Sequence, residues 1–560
     1  MPDTPPIIVL KFGGSVLLDE RRLRIAVHEI YRWRREGWSV IAVVSALAGR
    51  TEELIKRCDA LCDSASDEAR AGILSLGESE SASLLGIHLD RAGIPARVIS
   101  PETAGFIAEG APLNASPVSL NIDRLNTLLI ESGVIVFPGF IANDTTGSRV
   151  TLGRGGSDLT AVYLAHALSA ERCRLIKDVD GLYESDPATS STTPRYSYAY
   201  YEDALATDGS IIQHKAVEFA QAHGVEFELG RFNGSNPTRV GAGDTRLSRH
   251  ADSPIPLTLA ICGAGVVGGG VLDLVGQLPE LFQVTGVARN NPGQSTLDAA
   301  YPITSDAIKL AETGADVVVE LIGGTSTALD VAQAALRNGS SLVTANKALI
   351  AEHGATLRAL RHCSDQHILY SASVGGAMPL LEAIAGREIH SVTGILNGTT
   401  NYVLGQLERG SSLDTAVQNA RSLGFAEADA SRDLDGRDAL DKLLAIASEQ
   451  HWSIPESHIA LTSIQSWLDS VPEAYPARHV AHVDHQSASV TVQPLQSHPA
   501  LANTRDEWNY ADIQLADGQR MTVRGKGAGR WPTSESVLAD LLELSRTHSH
   551  RTSKEALCHA

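Results

Sequence analysis

The chain has 560 residues, 43% of them hydrophobic and 20% charged, and its net charge is −20. A chain of this length exceeds what one hydrophobic core can organise, so we expect several domains. The strong negative charge argues against a general nucleic-acid binder, which needs a basic surface. The negative charge does not exclude anionic small substrates, because a site for them needs only a few local cations. The simplest account of most of this charge is that self-repulsion between molecules favours solubility.

The six cysteines form no CxxC pair, and a disulfide scaffold is not expected in a chain of this size. The N-terminus lacks a basic segment followed by a long apolar one, so we predict no secretory signal. No apolar run approaches the about 18–20 residues that cross a bilayer. We therefore expect a reduced, cytoplasmic protein without membrane or nucleic-acid partners.

Two segments are typical of the start of an α/β domain: a β-rich apolar run that ends in glycines and passes into a helical pattern. They are IIVLKFGGS at 7–15 and LTLAICGAGVVGGG at 257–270. Residues 231–256 are rich in Gly, Pro, Ser and Asn, which places a domain boundary near residue 250. In both blocks strand-like runs alternate with helical stretches, which favours covered, largely parallel sheets.

In the first block, Gly13 and Gly14 are predicted to follow a strand and to precede a helix. Glycine there lets backbone N–H groups approach a phosphate, and a helix N-terminus attracts negative charge. Lys11 could place an ammonium on the transferred phosphoryl group. Because such glycine turns are common in proteins, this motif alone does not define a site.

Two further polar turns follow in the same block. LGRGGSDLTA at 152–161 precedes an apolar helix, and capping by Ser157 or Asp158 is the simpler account of its polar residues. Arg154, the two glycines and Asp158 also suit recognition of an acid, with the aspartate orienting groups around a phosphate. LIKDVDGLYESDP at 175–187 reads as an acidic turn, although its carboxylates could bind a nucleotide–Mg²⁺ complex. No Walker motif of the GxxxxGK[ST] type occurs.

Together, VLKFGGS, VVSALAG, LGES, LGRGGSD and DVDGLYESDP resemble the catalytic domain of aspartate kinases in the amino acid kinase family. The resemblance implies an αβα sandwich over residues 1–250 and transfer of the ATP γ-phosphoryl, with Mg²⁺, to the β-carboxylate of L-aspartate. Positioning and charge neutralisation dominate such a transfer. Two departures occur. Where the family has KFGGTS, this chain reads KFGGSV, with Ser15 followed by Val16, and the usual LHPRA reads IQHKA at 212–216.

The resemblance also assigns residues. It implies phosphoryl transfer by Lys11 and Asp158, and binding of aspartate by Ser45, Thr51, Glu78 and Arg154. The nucleotide is expected at Gly13, Gly14, Lys177, Asp178, Tyr183 and Lys215.

In the second block, GAGVVG at 263–268 is a GxGxxG that follows a predicted strand and opens a helix, the context that a dinucleotide site requires. Its cofactor-binding residues would be Gly263, Gly265, Val266, Val267 and Gly268. Arg289 stands where an acidic residue would bind an NAD ribose, and an arginine there suits the 2′-phosphate of NADP. We therefore predict NADP(H) in preference to NAD(H), with a plain surface arginine as the alternative.

Lys347 is predicted at the end of a strand, where a Rossmann-type sheet presents ligands. Asp438 and Lys442 lie four residues apart, on one face of a predicted helix. The simpler interpretation is an exposed ion pair worth about 0.3–0.5 kcal/mol. The crowding of acids between Glu427 and Asp441 favours binding of an ammonium group instead.

GAGVVG, VELIGG, TANKALIA, ASVGGAMP, GILNGTTNYVL, residues 424–442 and GKGAGRWPT resemble homoserine dehydrogenases. The resemblance implies a Rossmann domain at 257–376 and an α+β catalytic and dimerisation domain at 377–545, whose segment 500–545 packs back towards the cofactor domain. It implies NAD(P)H-linked interconversion of aspartate 4-semialdehyde and homoserine, in a homodimer or higher homo-oligomer.

By this resemblance Lys442 donates a proton to the aldehyde oxygen with Lys347 as its partner, since a lysine in a closed site can have its pKa lowered. The substrate ammonium is expected at Glu427 and Asp438, with Asp433 nearby. Gly424 and Gly529 would close over the cofactor, and Val374 and Gly376 would hold Na⁺ or K⁺.

The chain thus resembles a bifunctional aspartate kinase–homoserine dehydrogenase. The about ten residues between the two resemblances cannot hold the regulatory ACT domains that such fusions often carry, so we expect no threonine or lysine feedback by that route. Two alternatives are a working dehydrogenase with a degenerate, structural kinase-like domain, and a nucleotide-sensing scaffold without turnover.

Overall fold

The computed structural model describes residues 5–62, 64–185, 193–207, 211–248, 255–290, 300–362, 365–423, 425–426, 429–471, 476–494 and 499–558. The chain forms two compact units: Asp3–Asp90 with Pro95–Ser253, and Arg91–Ile94 with Pro254–Ala560. Each helix in the described ranges is too short or too polar to span a lipid bilayer.

The chain up to residue 248 alternates short strands with helices. Its strands are β1 (Ile7–Phe12), β2 (Ser39–Val44), β3 (Arg97–Val98), β4 (Ile107–Ala111), β5 (Asn114–Ser119), β6 (Val134–Pro138), β7 (Ile141–Asn143), β8 (Arg149–Thr151), β9 (Arg172–Lys177), β10 (Arg195–Tyr200), β11 (Phe227–Arg231), β12 (Thr238–Gly241) and β13 (Arg246–Ser248). Its helices are α1 (Leu23–Arg35), α2 (Arg50–Leu61), α3 (Asp67–Leu74), α4 (Leu76–Ala92), α5 (Pro101–Ala104), α6 (Ile122–Ser132), α7 (Gly156–Ala167), α8 (Tyr201–Leu205) and α9 (His214–His223).

A nine-stranded sheet, β13-β10-β12-β11-β9-β1-β2-β6-β3, forms the centre of the first unit. The strands from β11 through β9, β1, β2 and β6 to β3 pair in parallel, while β11–β12 and β10–β13 are antiparallel. The inner strands are nearly continuous apolar runs, as expected for a sheet covered on both faces. A smaller sheet, β5-β4-β7-β8, lies beside it in the same unit. The predicted αβα sandwich is confirmed for this unit.

One local prediction in this unit is wrong. No helix follows Gly14 directly: the carbonyl of Gly13 accepts the N–H groups of Val16 and Leu17 in a turn, and α1 begins only at Leu23. The neighbouring strands β6 and β7 lie in different sheets, because Phe140 has a positive φ of 67° that turns the chain between them.

The second unit has two sheets and a larger number of helices. Its strands are β14 (Leu257–Cys262), β15 (Phe282–Ala288), β16 (Ile303–Thr304), β17 (Val317–Glu320), β18 (Ser341–Thr344), β19 (Ile368–Leu369), β20 (Ile389–Ile395), β21 (Ile459–Leu461), β22 (Ala477–Asp484), β23 (Ala488–Pro494), β24 (Trp508–Leu515) and β25 (Arg520–Lys526). Its helices are α10 (Val266–Val275), α11 (Ala307–Ala311), α12 (Ser326–Arg337), α13 (Lys347–Ala359), α14 (Leu380–Ile384), α15 (Gly398–Glu408), α16 (Leu413–Ser422), α17 (Ser431–Leu434), α18 (Arg437–Glu449), α19 (Ile464–Ser470), α20 (Pro499–Ala502) and α21 (Arg530–Cys558), with 3₁₀ turns at Ser371–Ser373 and Glu456–His458.

The first sheet of this unit is all parallel, in the order β16-β15-β14-β17-β18-β19. This is the dinucleotide-binding order, whose direction reverses between β14 and β17, so a ligand is expected at the carboxyl ends of these two strands. The predicted Rossmann domain is confirmed.

The second sheet, β21-β23-β22-β20-β24-β25, is antiparallel except where β21 pairs with β23. Residues of α14 and α18 pack on one of its faces in a continuous apolar cluster, as expected for an α+β layer. Helix α21 returns to α10, where Ser534 Oγ donates to Val267 O at 3.0 Å and Arg530 pairs with Asp273 at 2.6 Å.

Two polar motifs of this unit begin helices. Lys347, predicted at the end of a strand, is instead the first residue of α13, because β18 ends at Thr344 and Asn346 caps the helix. In the NGTTN segment, Asn397 accepts the N–H of Thr400 and caps α15.

Gly263 and Gly268 are required by close packing at the start of α10. Gly263 has a φ of 109°, and a Cβ at Gly268 would overlap the carbonyl oxygen of Gly263. Backbone cannot move away as a flexible side chain would, so only glycine fits at residue 268.

We predict that Gly268→Ala destabilises the second unit by about 1–3 kcal/mol, because the added methyl forces α10 away from the loop after β14. Urea unfolding measures the loss. Gly405→Ala is the matched control: it also lies within a helix, and no atom lies within 4 Å of its added Cβ, so its stability should hold or rise. Equal midpoints for both variants would contradict the packing argument.

Candidate active sites

In the first unit, two ammonium groups share one buried carboxylate. Lys11 Nζ lies 2.6 Å from Asp158 Oδ1, and Lys177 Nζ lies 3.0 Å from Asp158 Oδ2. Lys11 and Lys177 come from the neighbouring parallel strands β1 and β9, whose carboxyl ends meet at one edge of the sheet. Asp158 reaches them from the first turn of α7.

The start of α7 explains why Asp158 is available. Its N-cap is Gly155, with a φ of 74° and no side-chain cap, so neither Ser157 nor Asp158 caps the helix. The simpler interpretation of this turn is therefore wrong, and the Asp158 carboxylate turns to the lysines instead.

The electrostatics of this cluster favour an anionic ligand. Burial would raise the pKa of Asp158, but Lys11 and Lys177 outweigh it and lower that pKa to about 2. Burial lowers the pKa of Lys11 to about 8, against the attraction of Asp158. One carboxylate between two ammonium groups leaves one excess positive charge, which a phosphoryl group would neutralise.

Space beside the cluster is kept by glycine. A Cβ at Gly13 would lie 3.2 Å from Lys11 Nζ, and one at Gly14 would lie 3.4 Å from Ala46 O. The backbone can therefore approach a ligand on Lys11 closely.

Glu78 of α4 is buried, and burial raises its pKa to about 7. Its Oε1 accepts the N–H of Ala46 at 3.2 Å, whereas its Oε2 is buried without a partner. Ser45 precedes Ala46 directly after β2, and Thr51 lies in the first turn of α2. An unpaired buried oxygen is costly, so Glu78 is suited to a ligand that donates a hydrogen bond.

The other predicted kinase residues are less tightly grouped. Arg154 and Asp178 are exposed, on the loops before α7 and after β9. Tyr183 is buried and donates to Asp180 Oδ1 at 2.8 Å. Lys215 donates to Asn114 Oδ1, Ala115 O and Leu152 O at 2.8–3.0 Å, so its three N–H groups fasten the smaller sheet rather than face a phosphate.

In the second unit, the loop after β14 has the form of a dinucleotide site. A Cβ at Gly263 would overlap the backbone of Leu321, whereas one at Gly265 would meet no atom within 4 Å. Val266 is 70% exposed at the N-terminus of α10, next to this open backbone. Open N–H groups at a helix N-terminus suit a pyrophosphate.

Arg289 follows β15 directly, and its N–H donates to Thr304 O at 2.9 Å. Its side chain is half-buried. Because β15 neighbours β14, Arg289 stands where the adenosine ribose of a bound dinucleotide is recognised.

A second buried carboxylate is shared by two lysines. Lys442 Nζ lies 2.8 Å from Asp438 Oδ2 and donates to Leu396 O at 2.6 Å. Lys347 Nζ pairs with Asp438 Oδ1. Asp438 and Lys442 are only 8% and 5% exposed, so the exposed i,i+4 pair of the simpler interpretation is wrong.

Asn397 is a site residue that the sequence analysis missed. Its Nδ2 donates to Asp433 Oδ1 at 2.7 Å and to Asp438 Oδ2 at 2.8 Å, while its Oδ1 caps α15. The available signal was an asparagine directly before Gly-Thr-Thr, a pattern that suits an N-cap.

The pKa values of Asp433 and Asp438 shift in opposite directions. Burial and the charge of Asp438 raise the pKa of Asp433. Burial would also raise the pKa of Asp438, but Lys442 and Lys347 hold it well below its usual range. The pKa of Lys347 is raised: burial would lower it, but the charge of Asp438 outweighs burial.

Of the remaining predicted residues, Glu427 and Gly424 lie outside the described residues. Gly529, with a φ of 115°, lies between β25 and α21. Val374 and Gly376 lie in a buried turn, where a Cβ at Gly376 would lie 2.8 Å from Lys526 O. Across the described ranges, no three His, Cys, Asp or Glu side chains are grouped to hold a metal ion.

Each unit therefore presents a separate α/β active-site cluster, one suited to phosphoryl groups and one to a nicotinamide cofactor. The amino acid kinase family model matches residues 6–227. The homoserine dehydrogenase NAD-binding and homoserine dehydrogenase models match residues 263–371 and 378–542.

Relatives agree with both matches. A homoserine dehydrogenase of Pseudomonas aeruginosa is 33% identical over 52% of this chain and 73% of its own length. An aspartokinase of Helicobacter pylori is 30% identical over 51% of this chain and 72% of its own. A crystal structure of a homoserine dehydrogenase from Thiobacillus denitrificans is 26% identical, covers 53% of this chain and 74% of that one, and has a TM-score of 0.47. The chain belongs to the aspartokinase family in its first part and to the homoserine dehydrogenase family in its second.

We predict that kcat/KM of the kinase reaction falls as the pH rises through about 8, because Lys11 then loses the proton that gives it positive charge. This parameter reports groups of the free enzyme. Lys11→Arg keeps its charge at these pH values, so its lower activity should show no alkaline fall. A wild-type profile that is flat from pH 7 to pH 9 would remove Lys11 from the phosphoryl site.

Proposed function

We propose that the first unit transfers the γ-phosphoryl group of ATP to the β-carboxylate of L-aspartate. The second unit reduces L-aspartate 4-semialdehyde to L-homoserine with NAD(P)H, so both reactions belong to threonine and methionine biosynthesis. The observation that carries this proposal is the buried carboxylate shared by two lysines in each unit. The intact Lys11–Asp158–Lys177 cluster favours a working kinase over a degenerate domain.

In the kinase reaction, Lys11 and Lys177 neutralise charge on the transferred group, and Asp158 holds both ammonium groups in place. Such electrostatic preorganisation is the main contribution a protein makes to phosphoryl transfer. Gly13 and Gly14 admit the phosphates, while Asp178 and Tyr183 lie towards the nucleotide with its Mg²⁺.

Aspartate binds beside this cluster. The unpartnered Oε2 of Glu78 accepts from its ammonium group, with Ser45 and Thr51 on the neighbouring loop. Exposed Arg154 closes onto the α-carboxylate, since a guanidinium can bind a carboxylate through two hydrogen bonds.

In the dehydrogenase reaction, the dinucleotide binds along Gly263–Gly268 and supplies a hydride when bound. Lys442 donates a proton to the aldehyde oxygen, and its contacts with Leu396 O and Asp438 fix the position of its ammonium group. Asp438 and Asp433, with Glu427, bind the substrate ammonium. Lys347 supports the charge of the cluster from α13.

A monovalent cation fits the turn at Val374 and Gly376. Nearby, the buried amide of Asn509 has no partner for either polar atom and faces Gly527, which lies against Gly376. Carbonyl and amide oxygens are suitable ligands for such an ion. Homodimerisation through residues 377–545 remains a prediction.

The two activities can be separated within one chain. Lys11→Ala should lower ATP- and aspartate-dependent hydroxamate formation by about 10²–10⁴-fold, and Lys442→Ala should lower NADPH oxidation with aspartate semialdehyde to a similar extent. Each variant is the control for the other, because the second activity should stay at the wild-type value. A chain whose wild type forms no hydroxamate, while Lys11→Ala leaves the dehydrogenase unchanged, would have a structural kinase domain.

We propose a preference for NADP(H) because Arg289 stands at the ribose position. Arg289→Ala should raise KM for NADPH by about 10- to 100-fold and leave KM for NADH nearly unchanged, since only NADPH carries the 2′-phosphate. Arg337→Ala, which removes an exposed arginine at the end of α12, is the control. A parallel rise for both cofactors would assign Arg289 a structural role.

A further inference from the structure

Glu320 is a fully buried carboxylate that the proposed chemistry does not use. It is the last residue of β17, beside the central strand β14, at the carboxyl ends where this sheet binds its ligand. A buried acid needs compensating hydrogen bonds, so its partners show what it holds in place.

The two carboxylate oxygens contact two different segments. Oε1 accepts the N–H of Ile322 at 2.8 Å, in the loop between β17 and α12. Oε2 accepts the hydroxyl of Thr344 at 2.6 Å, at the end of β18. Thr344 Oγ1 in turn accepts the N–H of Asn346 at 2.9 Å.

Asn346 closes the network. Its Nδ2 donates to Gly324 O at 2.6 Å, in the same loop that Glu320 holds through Ile322. Its Oδ1 accepts the N–H of Leu349 at 3.1 Å and so caps α13, which begins with Lys347. One chain of hydrogen bonds thus fixes the β17–α12 loop and the start of the helix that carries a site lysine.

The glycine part of the loop has few other contacts. Gly323 and Gly324 have φ values of 80° and 72°, and a Cβ at either would meet no atom within 4 Å. The start of the loop is held separately, since Leu321 N–H donates to Cys262 O at 2.7 Å and Ile322 packs against an apolar cluster. Because packing does not fix the two glycines, the conformation of the Gly323–Gly324 segment depends on hydrogen bonds. Gly263 packs against Leu321, so the loop lies across the dinucleotide crevice from the GAGVVG turn.

We propose that Glu320 is a positioning residue of the dehydrogenase: it holds the Leu321–Thr325 loop against the cofactor and sets the start of α13, which carries Lys347. This inference rests on the proposed function of the second unit. Asp316, an exposed acid directly before the same strand, offers a comparison at its opposite end. Its Oδ2 accepts the N–H and the hydroxyl of Thr258 at 2.8 and 2.6 Å, and it too bridges neighbouring strands.

The test compares Glu320→Ala, Glu320→Gln and Asp316→Ala in the full chain. NADPH affinity is measured by fluorescence titration without substrate, and kcat and KM are measured with aspartate semialdehyde. Glu320→Ala should weaken NADPH binding by about tenfold and lower kcat as well, because both the loop and α13 lose their anchor. Glu320→Gln keeps an oxygen for Ile322 N–H and an amide that can donate to Thr344, so it should recover most of the affinity.

Asp316→Ala removes the two hydrogen bonds to Thr258 but lies away from the crevice, so NADPH affinity should stay at the wild-type value. Urea unfolding of every variant, followed in the second unit, measures how much of that unit is correctly folded. If Glu320→Ala lowers the folded fraction, Thr344→Val, which retains the carboxylate, should still show a smaller loss of NADPH affinity. Wild-type NADPH affinity in Glu320→Ala, or an equal loss in Asp316→Ala, would overturn the inference.

The affinity measurement also separates this inference from the proposed function. A wild type that binds NADPH but does not reduce aspartate semialdehyde contradicts the proposed substrate. The comparison of Glu320 with Asp316 keeps its meaning in that case, because it needs only the cofactor.

Discussion

A single carboxylate buried between two ammonium groups organises each of the two candidate active sites. Asp158 joins Lys11 to Lys177, and Asp438 joins Lys347 to Lys442. Removing one partner of a buried ion pair commonly costs about 3–5 kcal/mol, so such a group fixes its neighbours strongly. In the first cluster, two cations against one anion also leave positive charge unbalanced, so that cluster is incomplete until a negative group comes to lie beside it. In the second cluster Asp433 lies close by as a second acid, joined to Asp438 through Asn397.

The folds serve this arrangement in different ways. In the first unit the two lysines lie at the carboxyl ends of paired parallel strands, and the aspartate comes from the helix that faces them. In the second unit both lysines and the aspartate lie on helices, with Lys347 at the start of α13 and the other two a turn apart on α18. The position of Lys347 therefore depends on how α13 begins, and Asn346 caps that helix. Asn397 caps α15 and holds the cluster in another way, because its Nδ2 donates to Asp438.

Much of the fold and of the two candidate sites could be predicted from the sequence, because these features depend on the spacing of residues within one element. The i,i+4 relation of Asp438 and Lys442, and the glycines of the dinucleotide turn, follow from the geometry of one element. The burial of that ion pair could not be predicted, since it depends on other parts of the chain that cover α18. The contacts of Lys215 and the bridging role of Asn397 were also out of reach, because they join residues at least 36 positions apart. The late start of α1 depended on a turn that the carbonyl of Gly13 closes.

Asp433 and Asp438 show how one environment gives two similar groups different chemistry. Asn397 donates to both, and both are buried, so neither hydrogen bonding nor burial alone separates them. The separation comes from the lysines, which contact Asp438 directly and so keep it ionised. Burial and the negative charge of Asp438 raise the pKa of Asp433. Two neighbouring acids whose pKa values differ in this way suit a site in which one acid is a fixed anion and the other responds to the ligand. In the proposed reaction, Asp438 is then the permanent partner of the lysines, and the ammonium of the substrate would lower the raised pKa of Asp433.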